Sequence, residues 1–217
     1  MSDLRALIQN VSVGRKGSSD HPSPLRMTPD GALYTAAYPL SAAVEGNVFG
    51  MNAGTVTTPL STAATTAIVN TTPHAWVRVP DGTVIIPLYA SVTIETSGIT
   101  TQGELSIVIA QNDIGNGTSS AGTGPVSFNT AAPVTSACTV RALATAATTA
   151  PTNPLELYRA SFAASTVNTN FTWYAEREAY YPVLRGAASW AIFLGGNAVG
   201  YYAQMVWVEL SETGITG

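Results

Sequence analysis

The clearest pattern in the chain lies near its C-terminus, where two apolar runs flank a glycine-rich turn signal. The runs are Trp190–Leu194 and Tyr201–Val208, and the turn signal is Gly195-Gly196-Asn197. Aromatic and β-branched residues dominate both runs, which is typical of strands, so we predict a hairpin. Both alternating sets of the second run are mostly apolar, and this indicates a strand covered on both faces. Because an isolated hairpin is marginally stable, the rest of the chain must supply an opposing sheet.

Further strand patterns recur upstream, separated by turn signals such as Pro80-Asp81-Gly82 and without a convincing long helix between them. Pro87 inside one of these patterns indicates an edge strand or a bulge. The succession predicts an all-β fold, a jelly-roll-like antiparallel β-sandwich. The predicted strands are Trp76–Val79, Thr83–Thr96, Glu104–Gln111, Ser136–Leu143, Leu155–Phe162, Thr169–Glu176 and Val183–Leu184, preceded by one or two irregular strands within Val44–Val69.

The N-terminal part of the chain reads differently, and we predict that residues 1–43 form an extended arm and residues 44–217 the sandwich. The sequence from Val11 to Pro39 is rich in Gly, Ser and Pro, and prolines at 22, 24 and 29 exclude a helix there. A stretch this long without regular structure is uncommon inside a compact domain. Several apolar residues would anchor such an arm on a partner. They are Leu25, Met27, Leu33, Tyr34 and Tyr38.

The composition indicates a surface that is unusually poor in charged residues. Hydrophobic residues make up 46% of the 217 residues, whereas charged residues make up 10%, against about 25% in ordinary soluble domains. Either the surface is polar but uncharged, or much of it is buried in an assembly, where charged groups would have to lose their hydration.

The net charge argues against one class of function, and the cysteine content excludes one kind of cross-link. The net charge is -4 and the longest basic run is Arg15-Lys16, which argues against nucleic acid binding, because phosphate contacts need clustered Lys and Arg. The single cysteine, Cys138, excludes an intrachain disulfide and lies in an apolar segment, so we predict a buried core thiol. No apolar run reaches the length of a membrane-spanning helix, and the N-terminus lacks the apolar core of a signal peptide.

Two stretches carry candidate chemistry. The loop Asn112–Pro125 is rich in Gly and Asn and could offer oxygen ligands to calcium or contact a glycan, although an ordinary loop with Asx turns also explains it. Glu176 and Glu178 would share one side of an extended segment. With Glu156 or Asp113 they could form the carboxylate pair of a glycosidase, and a solvated strand end is the alternative.

The remaining residues with catalytic potential form no recognisable constellation. The two histidines, His21 and His74, have neither metal-type nor triad-type spacing. The sequence also lacks the nucleophile-elbow and phosphate-loop patterns. We therefore predict no catalytic residues, no metal and no cofactor.

Paired tyrosines give candidates for a binding surface. In a regular strand, neighbouring side chains point to opposite faces. One member each of Tyr180-Tyr181 and Tyr201-Tyr202 would therefore face outward or toward another subunit. We take Tyr181 and Tyr201 as the candidate partner-binding residues, and a sugar-binding platform is a second interpretation of such aromatic residues.

The chain resembles the jelly-roll decoration, or cement, proteins of tailed-bacteriophage capsids. The resemblance lies in its charge-poor, Thr/Ala/Gly-rich composition, in Arg26-Met-Thr-Pro-Asp-Gly31 within the arm, and in the final V-W-V-E strand, residues 206–209. It implies a non-enzymatic homotrimer on the capsid surface of the virion, made in the host cytoplasm, that binds the major capsid protein. It implies no membrane and no direct nucleic acid contact.

Other interpretations stay open at this point. The chain could be a jelly-roll coat subunit, for which a basic arm is expected, or a tail or fibre module that binds glycans. It could also be a glycan-active enzyme or a carbohydrate-binding module.

Overall fold

The computed structural model describes residues 38–55, 57–62, 67–97, 102–144, 148–163, 168–178, 180–196 and 199–212, which fold as an antiparallel β-sandwich. The all-β prediction is confirmed. The predicted arm lies outside the described residues apart from residues 38–43.

The elements follow each other in the order α1 (Tyr38–Val44), β1 (Val48–Ala53), β2 (Leu60–Ser61), β3 (Ala75–Val79), β4 (Thr83–Ser97), β5 (Gly103–Ala110), β6 (Ser119–Ala121), β7 (Thr123–Ser127), β8 (Thr139–Ala144), β9 (Leu155–Phe162), β10 (Thr169–Tyr174), β11 (Leu184–Arg185), β12 (Ala188–Gly195) and β13 (Val199–Ser211).

One sheet of the sandwich has seven strands among the described residues. Its strand order is β10-β4-β13-β1-β7, with β11 pairing to β4 and β2 pairing to β13. The two longest strands, β4 and β13, lie side by side at its centre and pair from Val199 opposite Ser97 to Ser211 opposite Thr83. This sheet is therefore built around a single long ladder.

The other sheet has six described strands in the order β6-β8-β3-β12-β5-β9. Every residue of β12 is buried. Its inner face contributes Trp190 and Ile192 to the main core, and its outer face contributes Ala191 and Phe193 to a smaller cluster beneath the loop around Ile114. The unbroken apolar run in the sequence reflects this cover on both faces.

The predicted C-terminal hairpin is wrong, although both of its strands exist. β12 belongs to the six-stranded sheet and β13 to the seven-stranded sheet, so the chain crosses the sandwich after Gly195. Both strands are mostly apolar and therefore suit the centre of their own sheets. Among the described strands no two that are consecutive in sequence pair with each other, so the chain repeatedly crosses between the layers.

Pro87 marks a bulge within β4. Val206 of β13 lies opposite Tyr89, whereas Trp207 lies opposite Pro87, so the register shifts by one residue there. The bulge prediction is confirmed, but β4 is not an edge strand, because β10 pairs with it from Ile94 to Tyr89 and β11 pairs at Ile85 and Val84. The proline lies between the segments of β4 that pair with β10 and with β11.

Tryptophans dominate the core between the sheets. All four tryptophans of the chain are fully buried, with Trp173, Trp190 and Trp207 in this core and Trp76 in the smaller cluster beneath the loop around Ile114. Trp173 and Trp190 meet edge to face with ring centroids 6.1 Å apart, and Trp207 stacks on Phe49 at 6.2 Å. Each pair joins different strands, and such aromatic contacts add about 0.5–1.5 kcal/mol beyond the burial of their area.

The outer face of β13 is covered along half of its length. Helix α1, which was not predicted, packs its Ala42 against Val48 and Val208, and Pro39 lies in its first turn, where proline is tolerated. Nearer the beginning of β13, Tyr202 and Gln204 are partly exposed. The predicted cover on both faces thus holds near the C-terminal end of the strand and not at its beginning.

We predict that Gly195→Ala destabilises the fold. A Cβ atom at this position would lie 2.6 Å from the backbone N of Ile68 and 2.8 Å from the carbonyl carbon of Ala67. Backbone atoms cannot give way as a side chain can, so overpacking of about 2 kcal/mol is expected. Urea unfolding measures it.

The matched control is Gly122→Ala, because the nearest atom to its added Cβ is the flexible Met51 Cε at 3.0 Å. This variant should change the unfolding free energy by less than about 0.5 kcal/mol. Equal losses in both variants would contradict the tight crossing at Gly195.

Candidate functional site

The predicted arm anchors lie outside what the structure describes. These are Leu25, Met27, Leu33 and Tyr34. Tyr38 begins α1, but only its backbone is described. Their role as partner contacts stays a prediction.

Tyr201 is not available to a partner in this fold, which corrects the sequence-based assignment. Its side chain is fully buried, its hydroxyl donates a 2.8 Å hydrogen bond to the carbonyl oxygen of His74, and its ring meets the His74 imidazole edge to face. Burial raises the pKa of the phenol. Tyr202 is the member of the pair on the outer face, and sequence could not choose between them because both alternating sets are apolar.

Tyr180 and Tyr181 both face outward. They are 43% and 49% exposed, because the segment after β10 is a turn and a loop in which strand alternation does not apply. Tyr181 is therefore exposed, and its contact with a partner stays a prediction. Nearby, the Arg177 guanidinium lies 5.2 Å from the ring centroid of Tyr174, within cation–π range.

Glu176 and Glu178 lie on a different element from either of their predicted partners, Glu156 and Asp113. Glu176 and Glu178 are exposed in a turn rather than an extended segment, where the backbone N–H of Glu178 donates to Tyr174. Glu156 lies on β9 in the other sheet and accepts hydrogen bonds from Ser106 and Arg159.

The loop that begins at Asn112 is held by an ion pair rather than arranged around a cation. Asp113 accepts two hydrogen bonds from the Arg78 guanidinium, one of them 2.7 Å long, and one of 2.8 Å from the backbone N–H of Gly115. The bond from Arg78 is the main reason that the pKa of Asp113 is lowered. Across the described ranges, no group of three or more acidic, His or Cys side chains could hold a metal ion.

An apolar surface that was not predicted from the sequence lies around the start of β1, and we call it the α1–β7 patch. Its five members are more than two-fifths exposed, and the phenyl ring among them lies within reach of Gly50. They come from α1, from β7 and from the loop that follows. The patch consists of Leu40, Val44, Val126, Phe128 and Val134.

The α1–β7 patch is held together by specific bonds. The Asn129 side chain donates a 2.6 Å hydrogen bond to the carbonyl oxygen of Val44 and accepts from the backbone N–H groups of Ala131 and Ala132. The Ser127 hydroxyl donates to the carbonyl oxygen of Gly46. These bonds fix the loop after β7 against the end of α1, so the exposed apolar side chains sit on an ordered scaffold.

Charge is absent from the segments that build this patch. The sequence has no Asp, Glu, Lys or Arg in Tyr38–Val44, nor anywhere from Ile114 to Val140. Depletion of charge is the compositional mark of the buried centre of an interface. The signal was present in the sequence, but exposure of Val126 and Phe128 could not be read from it, since apolar residues in a strand are more often core.

Scans of family models, of curated proteins and of solved structures find no match to this chain. None of the helices in the described residues is long and apolar enough to span a membrane. Inferences about function therefore rest on the residues and their geometry.

Buried His74 makes the stability of the fold sensitive to acid. Its Nδ1 accepts a 3.0 Å hydrogen bond from the backbone N–H of Leu194, and burial lowers its pKa from 6.5 to about 4. The folded state therefore binds a proton more weakly than the unfolded state. Stability contributed by neutral His74 is complete above pH 6.5 and is lost as the pH falls toward 4.

We predict that His74→Gln removes most of this acid sensitivity, because its amide oxygen can accept the same backbone hydrogen bond without titrating. Between pH 7 and pH 4, the original chain should lose about 3 kcal/mol more stability than the variant. Urea unfolding at several pH values measures the difference. Parallel losses in the two chains would show that His74 is not the titrating group.

Proposed function

We propose that this chain is a non-enzymatic structural protein of a tailed-phage virion, a decoration protein that binds the assembled capsid as a homotrimer. The observation that carries the proposal is the α1–β7 patch, an ordered and exposed apolar surface built by segments that contain no charged residue. A patch of this kind on a sandwich marks a protein interface. The charge-poor composition and the resemblance to capsid decoration proteins support the same role.

The patch suits contacts between copies of this chain. β7 is an edge strand of its sheet, and its Val126 and the following Phe128 are 56% and 52% exposed. An unprotected apolar edge is a hazard for a monomer, whereas a subunit contact covers it. We assign the patch to the trimer interface, and the N-terminal arm, which precedes α1 in the sequence, to the major capsid protein.

Stabilisation of a capsid would follow from linkage. A trimer that binds the assembled shell and not its free subunits raises the stability of the shell by its binding free energy. Three copies of the arm on one trimer would act together, because the second and third contacts form at high effective concentration. Such a protein needs no catalytic group.

We expect Val126→Asp to convert the oligomer to monomers, since three buried carboxylates near the interface would each lose their hydration. Light scattering of the purified full-length protein measures the mass. Leu155→Asp is the matched control, because Leu155 is 57% exposed on the β9 edge of the other sheet. The control should keep the trimer mass. A monomeric original chain, or equal dissociation of both variants, would contradict the assignment.

The capsid role has its own test. Full-length protein is mixed with empty expanded capsid shells of the phage that encodes it, and the shells are sedimented. The original chain and Leu155→Asp should sediment with the shells to saturation, whereas Val126→Asp should bind at least about tenfold more weakly because avidity is lost. A trimer that does not bind the shells would refute the decoration role and leave the oligomer intact.

A further inference from the structure

The outer face of the seven-stranded sheet carries a polar, uncharged region next to the half covered by α1. One row across it is formed by side chains directly opposite each other, Asn52 on β1, Gln204 on β13 and Ser91 on β4. The next row holds Tyr202 opposite Thr93. Because paired residues share a face, these five side chains point out of the sandwich together.

These rows line a trough in the surface. It has a volume of about 390 Å³, which is within the size range of small-ligand sites. Gly54 forms one side, with φ of +94°, and a Cβ atom there would lie 2.8 Å from the Tyr202 ring. Only glycine fits this position, and the aromatic ring consequently lies against the backbone at the trough wall.

The trough offers hydrogen-bonding groups that the protein leaves unused. Within the described ranges, the side-chain amides of Asn52 and Gln204 show no hydrogen bond to the protein, and each amide can both donate and accept. The Thr93 hydroxyl donates to Asn170 over 3.3 Å, which leaves its own oxygen free to accept from a ligand. Donors and acceptors thus alternate over a short distance beside an aromatic ring.

The electrostatics favour an uncharged ligand. None of the described residues that line the trough is Asp, Glu, Lys or Arg. Desolvation raises the pKa of the Tyr202 hydroxyl, and the negative charge of Glu95, which lies beyond the trough on β4, raises it further. The hydroxyl therefore stays protonated at neutral pH. Anionic ligands such as phosphates, sulfated sugars or nucleic acid would meet this negative charge, and the described lining residues include no cationic side chain to balance it.

A peptide strand fits the trough less well than a sugar. The trough lies over β1, β13 and β4, which are interior strands whose backbone groups already pair with neighbours. A peptide that adds to a sheet needs a free edge for its backbone bonds. A saccharide instead presents hydroxyl groups to amide and hydroxyl side chains, and its C–H face packs on an aromatic ring.

We propose that this trough is a binding site for a neutral carbohydrate, with Asn52 and Gln204 as hydrogen-bonding residues and Tyr202 as the stacking residue. The site is on the opposite half of the sheet face from the part covered by α1, and it does not depend on the capsid role.

The test uses the full-length protein on an array of immobilised neutral, sialylated and sulfated glycans, followed by calorimetric titration with the best-bound saccharide. We expect binding to neutral glycans. Asn52→Ala and Gln204→Ala should each weaken it about tenfold, since each removes a hydrogen-bonding partner. Asn70→Ala, an exposed amide outside the trough, should leave the affinity unchanged.

Thermal unfolding of each variant separates lost binding from lost folding, and because Asn52 and Asn70 are both exposed, neither substitution disturbs the core. The proposal is overturned by an array without binding, by binding restricted to anionic glycans, or by affinities that the two trough substitutions do not change. Binding that persists after enzymatic removal of the glycans from the array would show that the sugar is not the ligand and would equally overturn the proposal.

Discussion

The pairing of β4 with β13 is the constraint on which the rest of the structure depends. β4 follows β3 through a short turn and β13 follows β12 directly, so each long strand enters its sheet from the opposite layer. Because β4 and β13 pair with each other, the two points at which the chain crosses between the sheets are fixed relative to one another. The pairing also determines which residues of β13 face inward. Tyr201, Met205 and Trp207 are among them and belong to the main core. Long-range pairing of this kind costs loop-closure entropy before it gains contacts.

The same ladder divides the outer face of the seven-stranded sheet into two parts with different uses. Toward the C-terminal end of β13, the face is apolar and α1 covers it, with Val208 fully buried. Toward the beginning of β13, the face is polar and open, and it holds the trough around Gln204. The exposed apolar side chains lie at the margin of the covered part, near β7. The sheet thus presents an exposed apolar margin beside β7 and a polar recess around Gln204.

Local pattern was enough to predict the strands but not their partners. Leu155–Phe162 and the long strand from Thr83 were predicted closely, because alternation and turn residues act over a few positions. The hairpin was wrong because an apolar strand carries no mark of its neighbour. For the same reason Tyr201 was assigned outward, since Tyr201 and Tyr202 are equivalent in pattern. The α1–β7 patch and the trough depend on exposure and curvature, which arise only when distant strands meet.

The central claim is that the α1–β7 patch binds other copies of this chain. Hydrogen exchange followed by mass spectrometry, on the full-length protein at high and at low concentration, tests it most directly. The account predicts slower exchange at high concentration in peptides from α1 and from the segment after β7, with no change on β9. Exchange that is independent of concentration in those peptides, or protection that appears on β9 instead, would contradict the account.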